Sequence, residues 1–335
     1  MDRDKETIKI MAGQRLMLGF DGVELNRGLK HIINGIKACG IILFKRNIET
    51  PEQVAFLCKS CQEYAKFCGL PPLFIAIDQE GGTVARLQKP FTIFKGNPFI
   101  KSVEDAKKFA LITADELQQA GINMNLAPVL DIMPEGVESI MRERVFKGDA
   151  KRVSSLGMEV ILGLQKKGIL AVAKHFPGIG RTVKDSHFHL PVLDIDLKTL
   201  EQSDMLPFKD AKDNDVSGIM LSHVSYPKLD NKWQASLSPF IANDLLRNQM
   251  GYKGLVMTDD LDMKAIEHDM KTSIRQILKS GIDIALICHK GPDIDIAYNE
   301  ITKQINQNDN LYHACNISLQ RILKYKKKYL LDSSS

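Results

Sequence analysis

Residues 150–175 read AKRVSSLGMEVILGLQKKGILAVAKH. The first part, Ala150–Gly168, carries apolar residues at helical spacing and stops at a glycine, as an amphipathic helix does. Leu170–His175 is a short apolar run without polar alternation, which suits a parallel strand covered on both faces. It finishes on Lys174 and His175, two titratable groups after an apolar body. A helix feeding such a strand is half of a β/α repeat.

The same alternation runs through the whole chain. Apolar runs occur at Arg15–Phe20, Gly40–Phe44, Leu73–Asp78, Ile122–Ala127, Leu170–His175, Gly218–His223, Leu255–Asp259 and Ile282–Cys288. Amphipathic segments such as Val103–Gly121 lie between them. Eight strand–helix units predict a closed (β/α)8 barrel in the α/β class. An open doubly wound sheet is the alternative, but no Gly-rich dinucleotide fingerprint follows any of the runs. No low-complexity linker divides the chain, so residues 1–335 are expected to form one catalytic domain with a basic C-terminal tail from about Lys324. Barrel enzymes place their chemistry at the C-terminal ends of strands. Here those ends carry Asp78, Asn125, Lys174–His175, His223, Asp259–Asp260 and Cys288–His289.

Composition narrows the function classes. The 335 residues are 44% apolar and 26% charged, enough for a large core without disulfides or a structural metal. The net charge of +4 is mild, and part of the excess sits in KYKKKYLL, Lys324–Leu331. That argues against a nucleic-acid partner. No apolar run is long enough to span a bilayer, and the charged start MDRDKETIKIM lacks the apolar core of a signal peptide. No membrane partner and a cytoplasmic location are therefore expected. Cys58 and Cys61 form a C-x-x-C, but they fall on the apolar stripe of a helix with Val54, Leu57, Ala65 and Cys68. Core packing is the expectation there, rather than redox or zinc chemistry.

Three stretches can carry chemistry. In GLVMTDDLDMKAI, Asp260 and Asp262 suit the capped first turn of a following helix. Asp259, directly after the strand, should instead point into the barrel mouth as a nucleophile, a base or a metal ligand. In KHFPGIGRTVKDSHFHLP, Lys174–Pro191, the glycines and proline force a loop. Asp185 and His187 on that loop suggest a carboxylate that orients an imidazole. His175, Asp185, His187 and His189 could alternatively bind a metal, but their spacing selects no ion. In IDQEGGTVARL, Ile77–Leu87, Gly81 and Gly82 allow a sharp turn that keeps Arg86 near Asp78. A phosphate cradle there lacks the following Lys-Ser/Thr.

Taken in order, GIILFKRN, IDQEGGTVARL, NLAPVLDI, RVFKGDAKRV, KHFPGIGRTVKDSHFHLP, GLVMTDDLDM and DIALICH resemble glycoside hydrolase family 3, in particular its single-domain bacterial β-N-acetylglucosaminidases. The resemblance implies that Asp259 is the catalytic nucleophile, His187 the loop-borne acid/base and Asp185 its paired carboxylate. It implies that Asp78, Arg86, Arg144, Lys174 and His175 hold the hydroxyls of a terminal N-acetylglucosamine. It also implies a retaining mechanism through a covalent glycosyl–enzyme, with no cofactor and no metal, acting as a monomer on muropeptide-like cell-wall fragments. Two positions depart from the family pattern: Ile179 stands where a histidine is usual, and Lys147 where a glycine is. A β-glucosidase of the same family is one alternative. A Schiff-base aldolase using Lys174 is another, and borohydride trapping would expose it.

Overall fold

The computed structural model describes residues 4–183 and 189–331. Eight parallel strands close into a barrel: β1 Leu16–Leu18, β2 Gly40–Leu43, β3 Phe74–Ile77, β4 Met124–Asn125, β5 Leu170–Phe176, β6 Gly218–Leu221, β7 Leu255–Asp260 and β8 Ile284–Ile287. Each coincides with an apolar run expected to be a strand, and β5 and β7 extend one residue past theirs, to Phe176 and Asp260. Each strand pairs with its neighbours in sequence, and β8 closes onto β1 through Leu16↔Ala285, Met17↔Leu286 and Leu18↔Ile287.

The runs lack polar alternation because both faces are buried. Met17, Ile42, Phe74, Met124, Leu170, Val172, Met220, Leu255, Met257 and Leu286 fill the barrel interior. Alternate residues such as Leu18, Ile41, Ile75, Ala171, Ile219 and Val256 join the layer beneath the surrounding helices. Helices Pro51–Phe67, Val103–Gln119 and Ala150–Lys166 cover part of that layer. Each begins at a side-chain cap: Thr50 accepts from the N–H of Gln53, Ser102 from Asp105, and Asp149 from Arg152. Cys58 and Cys61 are buried among Val54, Leu57 and Ala65, and burial pushes the Cys61 thiol up to about 12. These are packing cysteines.

Lys324–Leu331, noticed in the sequence for its charge, continues the last helix, Asp309–Lys326, and packs against the starts of the strands. Ile322 and Tyr329 enter the interior cluster, and the Tyr329 hydroxyl accepts from Ser217 Oγ at 2.8 Å, just before β6. The base of the barrel is thus closed by this last helical stretch. No helix among the described residues is long and apolar enough to cross a membrane.

Candidate active site

Strand ends deliver the polar groups to the opposite face. Along β5 the inward residues are Leu170 and Val172, so period-2 alternation aims Lys174 into the mouth. The pairing of β5 with β6 then slips between Lys174 and Phe176. This irregularity lets His175 reach the same cavity as Lys174. The β7–β8 register slips likewise between Met257 and Asp260, and both Asp259 and Asp260 line the cavity.

Asp78 follows β3 directly. After it, Gln79–Gly81 pairs with Val84–Ala85 in a short hairpin. Gly81 and Gly82 turn it with φ of 84° and 66°, and a Cβ on Gly82 would lie 2.9 Å from the Lys95 carbonyl. The hairpin folds Arg86 back so that its Nη2 donates to Asp78 Oδ2 at 3.0 Å. Asn125, at the end of β4, holds the hairpin's first residue through both the N–H and the carbonyl of Gln79. Asn125 is therefore structural.

Lys174 lies between two carboxylates, with its Nζ 2.8 Å from Asp78 Oδ1 and 2.7 Å from Glu80 Oε1. Arg144 grips Glu80 with two bonds, Nε to Oε2 at 3.0 Å and Nη2 to Oε1 at 2.8 Å. Burial opposes the charge on Lys174, but Asp78 and Glu80 outweigh it and raise its pKa. Burial likewise opposes ionisation of Asp78, yet Lys174 and Arg86 carry its carboxyl well below the usual range. A Schiff-base lysine must shed its proton. Lys174 is held charged, so the aldolase alternative loses its nucleophile.

His175 Nδ1 donates to Asp131 Oδ2 at 2.8 Å, and its Nε2 faces Arg144 Nη2 at 3.4 Å. Asp131 is fully buried and also accepts the N–H of Ile179 at 2.8 Å. The carboxylate thus fixes both the imidazole and the following PGIG turn.

Asp259 Oδ1 accepts the N–H of Asp260 at 2.8 Å. Burial opposes its ionisation, but His175, that N–H and Lys174 are among the groups that outweigh it and lower its pKa. The carboxylate is therefore held ionised in the mouth. Asp260 behaves oppositely: burial, with Asp262 and Asp259 adding repulsion against the N–H bonds it accepts, pushes it up to about 6. The expected helix cap is not what Asp260 and Asp262 form. The next helix begins at Met270 with Asp269 as its cap. Asp260 Oδ1 instead accepts the N–H groups of Asp262 and Cys288, and Asp262 accepts the N–H of His289. These bonds tie the β7 and β8 ends together across the slipped register.

Asp78, Arg86, Arg144, Lys174, His175 and Asp259 thus line one cavity of about 150 Å³, with Ile42, Met220 and Leu286 at its apolar walls. Asp185 and His187 lie outside the described residues. Ile179 contributes an apolar side chain to this cavity, whereas Lys147 lies outside it, over the Phe99 ring. Sequence reasoning passed over Glu80 and Asp131. Glu80 stands two residues after Asp78, on the same face of an extended segment, which was a usable signal. Asp131 carried none beyond being an acid after an apolar run.

The family model for the glycosyl hydrolase family 3 N terminal domain matches residues 8–325. A β-hexosaminidase of Methylobacillus flagellatus is 35% identical over 294 residues, covering 83% of this chain and 81% of the relative. The solved glycoside hydrolase family 3 β-N-acetylglucosaminidase from Paenibacillus sp. str. FPU-7 superimposes with a TM-score of 0.92 at 34% identity. That match covers 98% of this chain and 63% of the Paenibacillus chain. NagZ from Neisseria gonorrhoeae, solved in complex with N-trifluoroacetyl-D-glucosamine, gives 0.75 at 25% identity over 92% of this chain and 98% of its own. A barrel with these strand ends, matched by these relatives over most of its length, belongs to glycosyl hydrolase family 3 and is a glycoside hydrolase.

Proposed function

We propose that the chain is a retaining exo-β-N-acetylhexosaminidase that removes terminal N-acetylglucosamine from muropeptide-like cell-wall fragments in the cytoplasm. The observation that carries this reading is an ionised Asp259 inside a small cavity whose charges, Asp259 included, nearly balance. Lys174, Arg86 and Arg144 face Asp78, Glu80 and Asp259. Such a site gives a phosphate or a nucleic acid little advantage and suits a neutral, hydroxyl-rich ring. The tight volume favours one terminal sugar over an internal segment. The names of the relatives support N-acetylglucosamine over glucose, and the cell-wall substrate and location rest on the sequence resemblance.

In this reading the Asp259 carboxylate attacks the anomeric carbon, and the leaving oxygen takes a proton from His187, oriented by Asp185. Neutral His187 then deprotonates water, which releases the sugar with retained configuration. The assignment of His187 and Asp185 rests on the DSH string. Asp78 with Arg86 and Lys174, and His175 with Asp131, present fixed donors and acceptors to the hydroxyls. In this reading Asp259 and His187 cover the nucleophilic and proton-transfer roles, so no metal or cofactor has a step in the scheme.

Asp260 supports a second reading for the proton donor, because it lines the same cavity and burial pushes its carboxyl up to about 6 beside an ionised neighbour. Leaving-group kinetics separate the two. Under the His187 reading, His187→Ala cleaves poor leaving groups far more slowly. With activated aryl β-N-acetylglucosaminides it shows a burst of phenol, slow turnover, and azide rescue to the β-azide. Uniform slowing without a burst, together with that same signature in Asp260→Asn, transfers the role to Asp260. Paired aryl β-N-acetylglucosaminide and β-glucoside substrates decide the sugar.

A further inference from the structure

We infer that His223 is a positioning residue for the nucleophile: it clamps the Asp259–Asp260 main chain so that the Asp259 carboxylate is held toward the reacting carbon. The inference rests on Asp259 being that nucleophile. His223 lies two residues beyond the end of β6, where the last ladder pair with β7 is Leu221↔Thr258. Past that pair the backbone no longer holds the two strands together. On the other side, the β7–β8 ladder slips between Met257 and Asp260. Asp259 therefore stands on a short stretch of strand whose regular pairing has failed on both flanks. A residue in that position needs other bonds to keep one orientation.

His223 supplies the bond on the β6 side. Its Nε2 lies 2.8 Å from the Asp260 carbonyl oxygen, and its Nδ1 lies 2.6 Å from Ser236 Oγ. A carbonyl only accepts, so Nε2 carries the hydrogen, and in the neutral ring Nδ1 accepts from the serine hydroxyl. Ser236 is itself pinned, since its N–H donates to the Ser222 carbonyl at 3.0 Å. Both His223 and Ser236 are buried, which keeps water from competing for these bonds. Burial also lowers the His223 pKa against the pull of Asp259 and the nearby carbonyls, which favours the neutral ring. The clamp runs from Ser236 through His223 to the carbonyl of Asp260, the residue that follows Asp259. The N–H of that same residue donates to the Asp259 carboxylate. Asp260, held at its carbonyl by the imidazole and bonded through its N–H to the nucleophile, therefore connects the two.

The test separates orientation of the nucleophile from binding of the sugar. Wild type, His223→Leu, His223→Gln and Ser236→Ala are treated with 5-fluoro-N-acetylglucosaminyl fluoride. In this reaction a carboxylate oxygen bonds to the anomeric carbon as fluoride leaves. Peptide mapping locates the ester, and equilibrium dialysis with N-acetylglucosamine reports ground-state binding. Labelling of Asp259 should slow on the order of 100-fold in His223→Leu, the penalty typical of about 1 Å of misplacement, with affinity for N-acetylglucosamine within about twofold. Gln keeps a donor near the Nε2 position and should restore labelling to within about tenfold of wild type. Ser236→Ala should fall between them. Labelling at the wild-type rate in His223→Leu overturns the inference, as does a Gln variant no better than Leu with sugar affinity lost in parallel. If His223→Leu fails the Tm check, Ser236→Ala decides, and labelling at the wild-type rate in that variant overturns the inference. A label on another residue of the wild type removes the nucleophile assignment itself, which is a separate failure.

Discussion

Lys174 at the mouth of the barrel and Lys326 at its base are both almost fully buried, at 2% and 1% exposure, yet they solve the problem of a buried amine differently. Lys174 is surrounded by Asp78, Glu80 and, through Glu80, Arg144. Lys326 donates to Gln14 Oε1 at 2.8 Å and lies 5.2 Å from the centre of the Phe74 ring. No carboxylate among the described residues forms an ion pair with it. Burial wins at Lys326 and lowers its pKa to about 8, while the partners of Lys174 reverse the same penalty. At the mouth, charge is retained by charge, at a cost in desolvation that a sugar-binding site can use. At the base the amine serves packing, and its proton is held weakly.

The largest expected effect lies at the mouth and leaves the fold intact. Asp259→Asn is nearly isosteric and keeps an acceptor for the Asp260 N–H, so circular dichroism and Tm should match wild type. Its kcat on aryl β-N-acetylglucosaminides should fall on the order of 1,000-fold or more. Full activity in that variant would place the nucleophile elsewhere.

Lys174→Met breaks the network by removing one side of it. Asp78 and Glu80 would then share only the two arginines, and the fold should lose about 3–5 kcal/mol. Urea unfolding measures this, and a loss below about 1 kcal/mol would mean that the cluster relaxes into solvent. The matching change at the base, Lys326→Met, should have the opposite sign. Its folded pKa of about 8 lies below the ordinary value of 10.5, so the unfolded chain binds the extra proton between those limits. The penalty is full below pH 8, lifts as pH rises through that window and is absent above it. Lys326→Met should therefore be more stable than wild type by about 2 kcal/mol at pH 7, with the advantage shrinking by pH 10. A pH-independent difference between the two proteins would sink this account.

The smallest effect concerns the C-x-x-C. Cys61→Ala should cost about 1 kcal/mol, the ordinary price of a small core truncation, and chelators or reductants should leave Tm unchanged. A metal-dependent Tm would overturn the packing assignment of Cys58 and Cys61.

Much of this was legible before any coordinates. The eight apolar runs are local, and a strand covered on both faces must be apolar throughout, so the barrel could be read from the chain. The rule that strand C-termini face the mouth then collected Asp78, Lys174, His175 and Asp259 without knowledge of their distances. Asp185 and His187 were legible only as a motif, and they lie outside the described residues. What tertiary structure alone decided was which charges meet. Glu80 acquires its meaning from Lys174 and Arg144, which are far from it in sequence. Asp131 acquires its meaning from His175, and His223 from a carbonyl 37 residues away. Asp260 and Asp262, which sequence logic placed in a helix cap, bond to the N–H groups just past β8 instead, because the next helix begins only at Met270 with Asp269 as its cap. Lys326 read as part of a basic tail until the last helix carried it under the barrel. Periodicity is a property of neighbours along the chain, whereas the state of a buried charge depends on partners that only folding brings within reach.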